Sequence, residues 1–577
     1  MSDHLEQPPT RAAARAVAVL GLLAAVVAGG CRPPQPARPS GAAGAPLPAG
    51  AAEAAEAITA GDLLRDVTEL SSDDMEGRLP GTAGDQRSRA YLAARLGELG
   101  LTPAFGADGW EQPVPIVGVT SRLPETWSFQ APGGSEVAFR LGDEYVGASG
   151  VQRPQVSIED AEVVFVGYGI QAPEEGWDDF KGADLAGKVL LMLNDDPDWD
   201  PALFGGERKL SYGRWTYKYE SAARQGAAAA IIIHTTPSAG YPWQVVRTGW
   251  SGEQFELPAG AEPRTRLRAW LTEDASRRLV ALSGHDLDQL IESARSPGFA
   301  PVALGVRTSL RFDVELQAGA TANVGGILRG GDPVLADELV AITAHHDHFG
   351  IGEPDATGDA IYNGALDNGV AMAQALAVAR AFTGLPSPPR RSLLVLLPAA
   401  EEQGILGSAY FVRSRAFYPG RIAADINFEL GNVWGLTRDV TVFGKGKSEL
   451  DELLAALAAD QGRVLVEEPD VRAGWFYRSD QISFARAGVP AIWFKSGTDF
   501  IGRPAGWGEA QYTEWIERHY HQPSDEVDPS WNLDGLVQDA QLAFLLAVTV
   551  ANRDAMPAWV PGDEFEDERL ASLAELR

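Results

Sequence analysis

The sequence predicts an α/β fold: a mostly parallel, doubly wound sheet with flanking helices, interrupted by a small β-rich α/β domain. Three observations predict it. From Asn323 onward short apolar runs alternate with helix-like stretches, the pattern of βα units on a largely parallel sheet. Between about Ile158 and Leu304 the apolar runs are short and separated by Gly, Asp and Pro, which reads as a separate small domain. The chain has 577 residues, 45% of them hydrophobic and 22% charged, so it can bury a large core and is neither collagenous nor disordered.

The elements follow in order. Arg11 and Arg15 precede the apolar, small-residue run Ala16 to Gly30, which is short for a membrane span and reads as a secretory signal. It ends in Ala28-Gly29-Gly30-Cys31, which resembles the lipobox of bacterial lipoproteins. On that reading residues 1–30 are removed and Cys31 carries the lipid; the other reading is an ordinary signal peptide that happens to contain a cysteine. Residues 31–54, rich in Pro, Ala and Gly, read as a flexible tether. In the next segment, 55–157, Leu92, Leu96 and Leu99 recur at helical spacing before Gly100, predicting a helix from Asp85 to Leu99. The turn-rich stretch Asp73 to Thr82 is expected at the entrance of whatever follows. In the inserted domain, 158–304, Val163–Val166, Val189–Leu193 and Ile231–Ile233 read as buried strands, and His234 and His285, each isolated, as structural. In 305–577 strands are expected at Leu339–Ala344, Leu393–Leu397, Ile422–Phe428 and Val489–Phe494. Helices are expected at Val370–Phe382, Leu406–Arg413 and Leu533–Ala551. The acidic tail after Pro561 reads as solvated or frayed.

Charge and cysteine content narrow the function. Asp and Glu outnumber Lys and Arg by 79 to 48, a net charge of −31, which disfavours any polynucleotide partner. With one cysteine there is no internal disulfide and no thiolate metal site, so a metal here must use His, Asp and Glu.

Those residue types collect at strand ends. Five of the eight histidines fall in His345-His346-Asp347-His348 and His519-Tyr520-His521. The first cluster follows one predicted strand, Glu401-Glu402 follows a second and Glu429 a third. Asp367 sits in the turn Gly364 to Gly369, between the first two strands. Ligands of open α/β sheets bind beyond the carboxyl ends of the strands. Carboxylates crowded there need cations, and a His and carboxylate set without thiolates suits zinc, with manganese or cobalt as alternatives.

In order and spacing these residues resemble the co-catalytic zinc aminopeptidases and glutamate carboxypeptidases: His-x-Asp, Asp-Asn, Glu-Glu, an acidic residue, then a distal Tyr-His. The segment Ser72 to Pro103 is similar to the start of the catalytic domain in bacterial members, and 158–304 to their inserted protease-associated domain. Tyr477-Arg478-Ser479-Asp480 is similar to a further segment lining the site. The resemblance implies two metal ions, with His345 and Glu429 on one, Glu402 and His521 on the other, and Asp367 bridging. It also implies that Asp347 orients His345 and that Glu401 is the general base. Tyr520 is read as a donor to the oxyanion or as packing. Glu429 stands where aspartate is commoner, Gln481 where histidine is frequent, and His346 where tyrosine is common.

The expected function is that of a secreted metal-dependent exopeptidase, an aminopeptidase acting on peptides, lipid-anchored in a bacterial envelope. No protein partner is inferred. A carboxypeptidase, a single-zinc glutaminyl cyclase and a non-catalytic receptor-like relative are the alternatives; all five ligand positions and Glu401 are present, against the last. No Gly-x-Ser-x-Gly elbow occurs, and Thr441 occupies the position where a phosphate-binding loop at Gly446-Lys447-Ser448 requires Gly.

Overall fold

The computed structural model describes residues 47–576 apart from 108, 202 and 353, so the signal segment and Cys31 lie outside the described residues. The chain has a mixed α/β architecture built on a large sheet. Its strands are β1 (Glu111–Arg122), β2 (Val302–Leu328), β3 (Leu339–Thr343), β4 (Ser392–Leu397), β5 (Ile422–Asn427), β6 (Asp439–Phe443), β7 (Val464–Glu467) and β8 (Ala491–Ser496). They lie in the spatial order β1, β2, β4, β3, β5, β8, β6, β7. The central four, β4, β3, β5 and β8, are parallel, whereas β2 meets β4 and β6 meets β8 antiparallel.

The central strands are apolar because both faces are covered. Along β4, Leu393, Val395 and Leu397 pack with helices α1 (Ala60–Leu70), α2 (Val370–Thr383) and α6 (Asp534–Asn552). The alternate residues Leu394 and Leu396 pack on the other face, with Phe411 of α3 (Leu406–Ser414), Phe484 of α4 (Gln481–Arg486) and Phe565. A further helix, α5 (Trp507–Arg518), precedes the second histidine cluster. Helix α6 is long and apolar enough to cross a membrane, but most of it is buried in this core.

A second core sits in the inserted domain. The parallel strands Gln155–Phe165, Val189–Leu193, Ala229–His234 and Leu267–Thr272 form its sheet. Val163, Leu191 and Ile231 face one way, Val164, Leu190 and Ile232 the other. This core reaches beyond the expected 158–304 interval: Trp127, Phe129 and Tyr145 enter it from before, and Val306, Leu310 and Phe312 from after. The cause is β2, whose length lets it pair with the inserted sheet through one end and with β4 through the other. Its period-2 burial over Val306 to Val314 is that of a half-buried strand.

Two expectations are corrected at the ends. The tether stops short of residue 54, because Ala51–Glu56 is a helix with Ala51, Ala54 and Ala55 buried. The acidic tail is docked: Asp563 and Glu564 each lie 2.9 Å from the buried Lys447 Nζ, Phe565 is buried, and Glu566–Ala574 forms helix α7.

Candidate metal centre

Parallel register assembles the site. Thr343 of β3 is aligned with Leu396 of β4 and Asn427 of β5, so the residues just past each strand emerge along one sheet edge. His345 and Glu429 each lie two positions beyond the aligned pair Thr343 and Asn427, and His345 Nε2 is 3.3 Å from Glu429 Oε2. The turn Ala365–Gly369, just before α2, brings in Asp367. Its Oδ1 is 3.5 Å from His345 Nε2 and its Oδ2 is 3.2 Å from His521 Nε2. Glu402 Oε2 is 3.4 Å from the same His521 nitrogen. Asp367 thus stands between two half-sites, one with His345 and Glu429, the other with Glu402 and His521.

The donor set fits a metal. His345 Nε2 and His521 Nε2 are enclosed and have no hydrogen-bond partner, although an unpaired buried ring nitrogen is costly. The ligand atoms of His345, Asp367 and Glu429 lie within 4.8 Å of one another, close enough to converge on one cation. Burial pushes the proton affinity of Glu402 and Glu401 well up, and neighbouring carboxylates, Asp367 for Glu402 and Glu429 for Glu401, add to it. Burial alone would do the same to Asp367, but the imidazoles of His345, His521 and His348 beside it hold it well below the usual carboxylate range.

Glu401 and Tyr520 flank these half-sites. Glu401 Oε2 is 3.9 Å from His345 Nε2. Tyr520 stacks on His521 with ring centroids 3.7 Å apart and meets Trp515 at a tilt of 57°. Asp347 sits differently from the role the resemblance implies. Its carboxylate is 3.7 Å from His345 Nδ1, and that nitrogen instead lies 3.2 Å from the Asp347 carbonyl. The carboxylate accepts the backbone N–H groups of Glu401 and Glu402 at 2.9 and 3.2 Å, so it clamps the loop that carries base and ligand.

Other groups, to which sequence reasoning gave no individual role, position the ligands. Ser479 Oγ donates to Glu429 Oε2 at 2.7 Å, and Asn368 Nδ2 donates to the same oxygen at 3.2 Å. Asp525 accepts from the N–H groups of Leu366 and Asp367, fixing the bridging residue from behind. His348 Nδ1 is 2.8 Å from Glu402 Oε1, so one oxygen of Glu402 faces His521 while the other is held. Arg78 is wholly buried and donates only to carbonyls, those of His346, Leu70, Asn363 and Gly364. It joins the loops carrying His345 and Asp367. Gly77 lets the chain enter there: at its φ of +63° an added Cβ would lie 2.5 Å from the carbonyls of Gly350 and Tyr362.

Carboxylates and imidazoles converging beyond the ends of parallel strands, with a further carboxylate beside them, define the centre of a metal-dependent hydrolase. Residues 323–545 match the model of peptidase family M28, and it is to this family that this part of the chain is similar. No curated protein matches the chain. Among solved structures it is similar to an aminopeptidase from Aneurinibacillus sp. strain AM-1, with 19% identity, 88% of this chain and 97% of that one covered, and a TM-score of 0.48. A zinc aminopeptidase from Bacillus subtilis shows 19% identity over 86% of this chain and 97% of its own, with a TM-score of 0.42. A peptidase M28 precursor from Shewanella amazonensis SB2B shows 18% identity over 89% and 97%, with a TM-score of 0.41.

Proposed function

We propose that the protein is an exported aminopeptidase that removes N-terminal residues from peptides with two zinc ions. The observation that carries the two-ion reading is the placement of Asp367, one oxygen toward His345 and the other toward His521. His345 and Glu429 would hold one ion, Glu402 and His521 the other, with Asp367 shared; manganese or cobalt would suit the same donors. When bound, the ions polarise the scissile carbonyl and make water a stronger nucleophile at neutral pH.

The chain's own groups handle the proton and the developing charge. Glu401, beside His345 and held through its N–H by Asp347, takes the proton from the attacking water and passes it to the leaving amine. Burial and the nearby Glu429 raise its proton affinity, which favours taking up that proton. The Tyr520 N–H donates to the Trp515 carbonyl, while its hydroxyl is free of hydrogen bonds among the described residues and donates to the oxyanion of the tetrahedral intermediate. Lipidation at Cys31 would hold the enzyme at a bacterial envelope membrane, and Cys31→Ser should then move it to the soluble fraction.

The test combines metal analysis with a substrate panel. Two equivalents of metal per chain and hydrolysis confined to peptides with a free amine are expected. Cleavage only from the carboxyl end would reject the aminopeptidase, and a single equivalent would reject the two-ion centre. Glu401→Gln should lower kcat by about 10² to 10⁴ while metal content is kept; full turnover in that variant would reject Glu401 as the base.

A further inference from the structure

One residue of the first histidine cluster has no part in the two-ion scheme. His348 is wholly buried beside the second half-site, and its Nδ1 lies 2.8 Å from Glu402 Oε1. Its place is fixed from several sides. The His348 N–H donates to the Arg78 carbonyl, and an added Cβ at Gly364 would lie 2.7 Å from His348 Cγ and Cδ2, so the imidazole packs directly on that backbone. Phe349 and His521 meet the ring edge-on, with centroids 5.0 and 5.9 Å away. The other ring nitrogen, Nε2, is enclosed and has no hydrogen-bond partner. An apolar side chain would fill this space without that cost, so packing alone does not account for an imidazole here.

The two terminal carboxylates of the centre are held in different ways. At Glu429, Ser479 and Asn368 both donate to Oε2, the oxygen that faces His345 Nε2 at 3.3 Å. At Glu402 the oxygens are divided: Oε1 meets His348, and Oε2 lies 3.4 Å from His521 Nε2. A carboxylate that binds a metal only accepts hydrogen bonds, so His348 Nδ1 carries the hydrogen and Oε1 is engaged. Glu402 is left with one oxygen for an ion. Its backbone N–H is fixed as well, by Asp347 Oδ2 at 3.2 Å. The second half-site depends on this fixing more than the first does, since the His521 side chain is 33% exposed and that of His345 only 1%.

We propose that His348 is a positioning residue that holds Glu402 as a one-oxygen ligand and thereby sets the affinity and coordination number of the second ion, with no effect on the first. The inference rests on the two-ion reading above. Hydrogen-bonded partners of this kind orient the ligands they touch and are worth about 10- to 100-fold in metal affinity.

The test equilibrates the full-length, metal-loaded protein with graded amounts of a chelator and reads the zinc retained per chain; the cobalt-loaded protein adds a visible spectrum. In His348→Leu one of the two equivalents should be held about 10- to 100-fold more weakly and the other as in wild type. The cobalt bands should weaken for that equivalent alone, as they do when both Glu402 oxygens reach the ion and its coordination number rises. His348→Asn, whose side-chain amide places a donor near the Nδ1 position, should restore most of the loss. His348→Gln, with its donor one bond farther out, should not, and it preserves the comparison if the Leu variant fails to fold. In a Glu402→Gln background His348→Leu should cause no further loss, because the effect runs through Glu402. Unchanged retention, equal weakening of both equivalents, equal loss in the Asn and Gln variants, or a further loss in that background would each overturn the positioning role. A wild-type protein that holds a single equivalent would reject the two-ion reading; His348 then keeps its role if that ion shows the same pattern across the variants, and loses it if the ion is indifferent to them.

Discussion

In the inserted domain Asp179 and Asp196 are buried and Asp195 is half-buried, and two lysines of the same domain answer them. Lys218 Nζ is wholly enclosed, donating to the carbonyls of Tyr168 and Asp195, while Lys209 Nζ lies 3.1 Å from Asp195 Oδ1. Asp179 and Asp196 also accept backbone N–H groups, from Ile170 and Leu210. At the strand ends of the main domain Asp347, Asp367 and Asp480 are buried, with Glu401, Glu402 and Glu429 nearly so. There the buried Arg78 spends all its bonds on carbonyls, and four ring nitrogens, one each of His345, His346, His348 and His521, are left unpaired. The inserted cluster supplies its own counter-charge through lysine. The strand-end cluster needs cations from outside, which marks it as the working site and the other as structure.

Chelation should break the comparison most sharply. Stripping the metal should abolish peptide hydrolysis and destabilise the main domain by about 4 kcal/mol where free metal had stood at a thousand times its Kd. The inserted domain should keep its stability, so hydrogen exchange in Val189–Leu193 and Ala229–His234 should be unchanged while that around β3 and β5 accelerates. Equal acceleration in both would mean that the metal supports the whole chain. Lys218→Met makes the opposite incision. Removing the ammonium leaves the carbonyls of Tyr168 and Asp195 without their buried donor, at a cost of about 1 to 3 kcal/mol in denaturant unfolding. Metal content should stay at the wild-type level in that variant.

The same contrast explains what could be read in the sequence. His345, Glu401, Glu402 and Glu429 were legible because each follows an apolar run directly, and parallel strands end at one edge. Asp367 was legible from its turn, and His521 through the distal Tyr-His pair. Arg78 and Asp525 were not, because each acts through hydrogen bonds to groups far away in sequence: Arg78 meets the carbonyl of His346, 268 positions on. No local pattern marks a guanidinium for such a place. The reach of the inserted core was missed although its clue was present: Val306, Thr308, Leu310, Phe312 and Val314 alternate at the spacing of a half-buried strand. The docked tail was hidden because Lys447, which neutralises Asp563 and Glu564, lies more than a hundred residues before them.

The smallest expected effect concerns Asp425, a buried carboxyl in β5 that lies behind the metal centre. Its Oδ1 accepts from Thr343 Oγ1 at 3.0 Å, and Oδ2 has no partner. Burial pushes its pKa well above the usual carboxylate value, and nearby Asp480 adds to the shift. The folded state therefore keeps a proton that the unfolded chain releases above about pH 4. Its contribution to stability is present in full below that pH and declines as pH rises toward the raised folded value, by at most about 1.4 kcal/mol per pH unit. Asn at this position is neutral throughout and similar in shape. Asp425→Asn should thus gain stability relative to wild type as pH rises from about 4 to 7, measured by urea unfolding at each pH. A constant difference over that range would mean that Asp425 is charged in the fold, with a cation beside Oδ2, and the main domain would then hold a second place that requires one.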